Sequence, residues 1–212
     1  MRLHTLNVGR PREMQDAPPW ITAFHKTPVI VPVFLSFENL EGDRQADLTV
    51  HGGPDKAVCV YAVDHYPIWR KQIGIETCGP GWFGENFSIE GQDEKTTAIG
   101  DTYRIGGALV QVSQPRAPCW KLGKRWSRAD MPKLVVHSGL TGWYLRVMEE
   151  GLVAAGQEFT LVDRPFPQWT IEAVNDAAYS RGDRTNPTIV RGLADCPALA
   201  EGWREGFRSA AR

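Results

Sequence analysis

The chain has 212 residues, 42% of them hydrophobic and 23% charged, enough for one sizeable core or a core with a small appendage. No apolar run approaches the roughly 18 residues of a membrane span. A formal net charge of -1 without a long basic run gives no electrostatic footprint for polymeric nucleic acid. The four cysteines, Cys59, Cys78, Cys119 and Cys196, stand far apart with no C-x-x-C pair, which excludes a disulfide scaffold, most zinc ribbons and iron–sulfur frameworks. The first residues, Met1 to Asn7, lack the basic start, apolar stretch and cleavage site of a secretory signal, so the expected location is the cytoplasm, with no membrane partner.

Glycine (21) and proline (15) punctuate short apolar segments, the pattern of a fold that is mainly β with some α. Ala57 to Ala62 is a continuous run of strand formers, as expected of a strand buried on both faces. Asp64 is placed to cap a short helix with Pro67 in its first turn. Tyr66, Trp69 and Ile73 share one face of that helix, and Gly74 ends it. Thr102 to Ile105 and Ala108 to Ser113 are joined by Gly106-Gly107, which suits a two-residue hairpin. Met131 to His137 reads as a short helix, and Trp143 to Met148 and Glu158 to Val162 as strands. Pro165 and Pro167 then form a linker. Beyond it Thr170 can cap a helix over Ile171 to Ala178, and Leu199 to Ala210 has helical periodicity. The expected division is therefore a main domain over 1–164 and a small helical appendage over 165–212.

Three stretches carry chemistry. In Ser113-Gln114-Pro115-Arg116-Ala117-Pro118-Cys119-Trp120-Lys121, each proline fixes its own φ and pushes its predecessor into extended geometry. Polyproline-like backbone would set Arg116 and Cys119 on one edge, and strand-like backbone would set Cys119 and Lys121 on one face. Either places a cation near the sulfur and favours the thiolate. Local chemistry leaves Cys119 evenly divided between that role and a small buried hydrophobe.

The second stretch is Gly42-Asp43-Arg44-Gln45-Ala46-Asp47 followed by His51-Gly52-Gly53-Pro54-Asp55-Lys56. Paired glycines let backbone N–H groups approach an anion, with His51, Asp55 and Lys56 beside them, although a solvated surface turn has the same composition. The third, Phe83-Gly84-Glu85-Asn86-Phe87, sets a carboxylate and an amide between aromatic rings. The tryptophans Trp82, Trp120, Trp126 and Trp143 are expected in the core.

Taken in this order, with Ile99-Gly100-Asp101 before the hairpin, these stretches resemble the MOSC domain family, named for the C-terminal domain of molybdenum cofactor sulfurase, and within it the YiiM-like branch. The segment from Thr170 resembles that branch's three-helix C-terminal domain. The resemblance implies a β-barrel-like domain that binds molybdenum cofactor with Cys119 as metal ligand. It leaves Cys59, Cys78 and Cys196 structural or incidental. It also implies reduction of N-hydroxylated compounds, hydroxylamino base analogues and amidoxime-type substrates among them, in detoxification. On that reading Arg116, Lys56 and Lys121 hold the cofactor's phosphate, Gly52, Gly53 and Asn86 complete its cradle, and His51, Asp55 or Glu85 relay protons. With no cysteine array and no G-x-G-x-x-G after a strand, electrons are expected from a separate flavin or iron–sulfur reductase. Two other readings use the same cysteine: a non-catalytic carrier of molybdenum cofactor or sulfur, and a metal-free cysteine enzyme with His51 as base.

Overall fold

The computed structural model describes residues 1–16, 18–49, 51–179 and 186–211. Five strands open the chain: β1 (Arg2–Val8), β2 (Arg12–Met14), β3 (Trp20–Thr22), β4 (Thr27–Val29) and β5 (Val33–Leu35). After a long loop come β6 (Val58–Ala62), helix α1 (His65–Ile73) and β7 (Phe87–Glu90). Next are β8 (Thr102–Ile105), β9 (Ala108–Pro115) and helices α2 (Lys121–Arg125) and α3 (Met131–Ser138). β10 (Trp143–Glu149), β11 (Gly151–Val153) and β12 (Thr160–Asp163) complete the strands, and α4 (Ile171–Tyr179), α5 (Pro187–Ala194) and α6 (Glu201–Ala210) end the described chain.

Eight strands form one sheet in the order β12-β8-β9-β10-β6-β7-β1-β4, in which only β6 and β7 run parallel. The sheet curls until its ends meet. Leu3 N–H donates to the Gln157 carbonyl at 2.9 Å, Gly156 N–H to Leu3 at 2.7 Å, and Phe159 N–H to Met1 at 2.9 Å. The chain entering β12 thus pairs with the start of β1, closing a barrel-like structure without an open edge at that seam. Inside it Leu3, Leu6, Val58, Val60, Val110, Val112, Trp143 and Leu145 form a core that continues into Ile171, Val174 and Leu193 of the C-terminal helices. On the other face of β6, Tyr61 joins Tyr66, Trp69, Phe83 and Trp126 in a second, aromatic core, with Tyr61 and Phe83 stacked at 4.4 Å between centroids.

Local expectations fail at identifiable places. Asp64 occupies the cap position of α1 but makes no side-chain cap bond, whereas Thr170 does cap α4, its Oγ1 accepting from Ala173 N–H at 3.1 Å. Gly74 ends α1 in the left-handed region at φ 72°, as glycine allows. Trp126 and Trp143 are core residues, but Trp120 is 56% exposed, its ring 5.1 Å from that of Trp20. No helix among the described residues is long and apolar enough to cross a membrane.

Candidate functional site

The three stretches singled out in the sequence meet at one cleft on the outer face of the barrel, with a cavity volume of about 80 Å³. Its floor is made by strands. Cys59 on β6 and Tyr144 on β10 are direct partners in the antiparallel ladder and both line it. They project there because their neighbours Val58, Val60, Trp143 and Leu145 point into the core, and side chains alternate along a strand. Asn86 stands beside them. Its Oδ1 accepts from Cys59 N–H at 3.1 Å, and its Nδ2 donates to the Asn7 carbonyl at 3.2 Å and to Asp43 Oδ2 at 3.0 Å.

Asp43 is fully buried and ties the glycine-rich loop to this floor. It accepts from Gly9 N–H at 2.7 Å and pairs with the Lys26 ammonium. Gly84, at φ 74°, is required where it stands: a Cβ there would come within 2.8 Å of the Phe24 ring. That ring in turn lies 5.7 Å below the Arg116 guanidinium.

The rim is made by loops. β9 ends at Pro115, residues 116–119 have no regular structure, and Leu122 N–H donates to the Cys119 carbonyl to begin a turn. The segment is therefore not a strand beyond Pro115, and Arg116, Cys119 and Lys121 all line the cleft. Cys119 is half-buried. His51, Gly52 and Lys56 reach it from the opposite loop, with Arg44 and Gln45. Gly52, at φ 85°, leaves its backbone bare, and a Cβ would press on Gln45 at 3.3 Å. Gly53, also left-handed at φ 87°, begins the turn at Pro54 and lies outside the lining.

Cations dominate this rim. The His51 pKa is lowered, first by burial and then by Lys121, Lys56 and Arg116, so its imidazole is neutral near pH 7. Arg116 is only 5% exposed, and its Nη1 has no hydrogen-bond partner among the described residues. Burial opposes its charge, but Cys59, Tyr144 and Cys119 raise its pKa by more. Burial, then Cys59, likewise pushes the Tyr144 phenol above its usual range, keeping it a hydrogen-bond donor. A buried guanidinium with an unused N–H is costly unless something anionic meets it.

Besides Gly53, two residues expected at the site stand elsewhere. Asp55 points along the barrel wall and pairs with Arg146 at 2.8 Å. Glu85 is fully buried behind the floor. It accepts from Gly81 N–H at 2.5 Å, Phe83 N–H at 3.1 Å, Ser88 Oγ at 2.7 Å and the Tyr66 hydroxyl, so its lone pairs are spent on the fold. Conversely, Tyr144, Phe24 and Lys26 were not legible as site residues, and Cys59, expected to be structural, lines the cleft.

A molybdenum cofactor fits these residues. Cys119, a soft donor at the rim of the cleft, would be the protein ligand to the metal, with the remaining donors supplied by the cofactor. The cationic rim and the unused Arg116 nitrogen suit an anionic group on it.

Barrel, cleft and cysteine-bearing turn together define a MOSC domain, and the MOSC domain family matches residues 47–160; the chain belongs to that family. The YiiM-like three-helix domain matches residues 169–209. The YflK protein of Bacillus subtilis (strain 168) is 41% identical over 204 residues, covering 96% of this chain and 91% of its own. The crystal structure of YiiM from Geobacillus stearothermophilus superposes with a TM-score of 0.84 at 33% identity, covering 100% of this chain and 99% of that one. A protein of Gibberella moniliformis named "Reductase" is 34% identical over 171 residues, 79% of this chain but 29% of its own length. The family's association is with molybdenum cofactor.

Proposed function

We propose that this protein binds molybdenum cofactor through the Cys119 thiolate and reduces N-hydroxylated small molecules, with electrons delivered by a separate reductase. The observation that carries the reading is the junction of one half-buried thiol with a buried guanidinium whose Nη1 is unused, in a cleft rimmed by further cations. A soft thiolate suits a redox metal, and the bound cofactor supplies the two-electron chemistry.

The chain's own residues do the rest. Arg116, with its planar fork, and Lys121 and Lys56, as point charges, bind the cofactor's phosphate, and bare backbone at Gly52 lets that group approach. Reduction of R–NH–OH to R–NH₂ consumes two electrons and two protons and releases water. Tyr144, held protonated in the floor, and His51, neutral on the rim, are the cleft groups placed to pass those protons to the departing hydroxyl. Asp55 and Glu85, tied up in the fold, are not needed. The substrate class is hydroxylamino base analogues and amidoximes, which makes the protein a detoxifying oxidoreductase.

The test is turnover of a hydroxylaminopurine and an amidoxime by cofactor-loaded protein with a reduced viologen as donor. Stoichiometric amine or amidine is expected. Cofactor retained without any turnover would favour the carrier reading, and turnover with NADPH alone, without a reductase, would overturn the need for a partner.

A further inference from the structure

The C-terminal helices reach the cysteine-bearing segment through Thr141 and Gly142, just before β10. The Gly142 carbonyl accepts the Arg116 N–H at 3.0 Å, the first backbone bond beyond the ladder register of β9, which ends at Pro115 opposite Trp143. Gly142 is held in the left-handed region at φ 73°, and a Cβ there would sit 2.4 Å from the Val60 carbonyl oxygen, so its placement depends on the groups around it. Those groups come from three sides. The Glu94 carboxylate accepts Gly142 N–H at 2.7 Å and is bonded through its other oxygen to His65 Nε2 at 2.7 Å. The Thr141 hydroxyl donates to the Gly142 carbonyl at 3.0 Å. Asn175 of α4 donates from Nδ2 to that hydroxyl at 2.9 Å.

The first turn of α4 also holds the Glu94 side of this arrangement. Glu172 N–H donates to the Glu94 carbonyl at 2.8 Å and Ile171 N–H to the Thr97 carbonyl at 2.9 Å. A second, separate attachment lies on β9 itself, where Ala200 N–H, just before α6, donates to the Ser113 carbonyl at 2.9 Å. Thr141, Glu94, Asn175 and Ser113 are all buried, so these bonds do not exchange freely with water. Two of the helical segment's attachments thus bear on the backbone that leads into Arg116 and Cys119, one at Ser113 and one through Thr141 to Gly142, the backbone partner of Arg116.

We infer that the C-terminal helices are a brace for the metal-ligand loop: α4, acting through Asn175, Thr141 and Gly142, fixes where Arg116 and Cys119 face the cleft. Asn175 and Thr141 are positioning residues that touch no ligand. The inference rests on Cys119 being the working thiol of the cleft, but its test needs neither cofactor nor substrate.

The measurement is the alkylation rate of Cys119 by iodoacetamide in metal-free full-length protein, read peptide by peptide so that Cys59, Cys78 and Cys196 do not contribute. Thr141→Val keeps the shape and removes the hydroxyl; Thr141→Ser restores it. Thr141→Val should raise the Cys119 rate about thirtyfold, the change expected for losing the two hydrogen bonds of that hydroxyl in a local unit, and Thr141→Ser should return it to the wild-type value. A folded Thr141→Val protein alkylated at the wild-type rate overturns the brace. Should Thr141→Val fail to fold, amide exchange of the unaltered protein decides. Arg116 N–H is expected to exchange in step with Val174 and Ile171 of α4, and exchange at Arg116 that is orders of magnitude faster would overturn the inference. Molybdenum binding that proves independent of Cys119 would sink the proposed function while leaving these rates as they are.

Discussion

The floor and the rim of the cleft are built on different principles, and Cys59 and Cys119 show the difference. Cys59 sits on a strand between core-facing valines, its backbone N–H given to Asn86, and burial raises its thiol pKa. Cys119 sits at a turn after two prolines, half-buried, beside a guanidinium with an unused nitrogen. In the floor Asn86 spends its amide on the Cys59 and Asn7 backbone and on Asp43; at the rim the Arg116 Nη1 has no partner among the described residues. A thiol's place in the hydrogen-bond network, more than its presence in a cleft, separates scaffold from site.

Glu85 offers the sharpest way to break this division. Its carboxylate satisfies two backbone amides and two hydroxyls, so Glu85→Ala should cost about 3 kcal/mol or more by leaving buried donors unpaired. Thermal unfolding checks this; lost turnover at an unchanged midpoint would instead return Glu85 to catalysis. Next is Tyr144→Phe, which removes a proton donor and little else. A fall in kcat of roughly a hundredfold, the low end for a positioned acid, is expected with molybdenum content unchanged. An unaltered rate would confine proton transfer to His51. Arg116→Lys keeps charge but loses the fork, and cofactor occupancy should drop about tenfold at limiting cofactor through loss of a charge-assisted bond. Full occupancy would mean that point charge alone suffices.

The last prediction concerns His25, between the lining residues Phe24 and Lys26. Burial, then Arg125 and Arg12, lower its pKa from 6.5 to about 4. The unfolded chain therefore takes up this proton first as pH falls, and stability is lost from about pH 6.5 down toward pH 4. Below that both states are protonated and the loss is complete. His25→Gln should flatten the fall in thermal midpoint over this window, and an unchanged slope would place the titration elsewhere.

Much of the rim was legible in the sequence because prolines and paired glycines constrain backbone locally: Pro115 and Pro118 around Arg116 and Cys119, Gly52 beside His51. The floor was not. All five residues of Val58–Ala62 are buried, so hydropathy carries no alternation to tell that Cys59 and Tyr61 face away from the barrel interior. The directions of Asp55 and Glu85 depend on partners 91 residues away in one case and on a tight turn in the other, neither of which composition records. The strands β2 to β5, of three residues each, are too short for periodicity and take their places through pairing and through burial of residues such as Val33 and Leu35 in the core. Of the helical appendage, α4 and α6 were legible from periodicity, α5 only through the family resemblance, and its attachment at Thr141 and Ser113 is purely tertiary.

The most direct test compares three proteins made in a host that synthesises the cofactor: the unaltered chain, Cys119→Ala and Cys59→Ala, each assayed for molybdenum and pterin after purification. The account predicts molybdenum in the unaltered protein and in Cys59→Ala, and none above background in Cys119→Ala. Equal molybdenum in all three would contradict it.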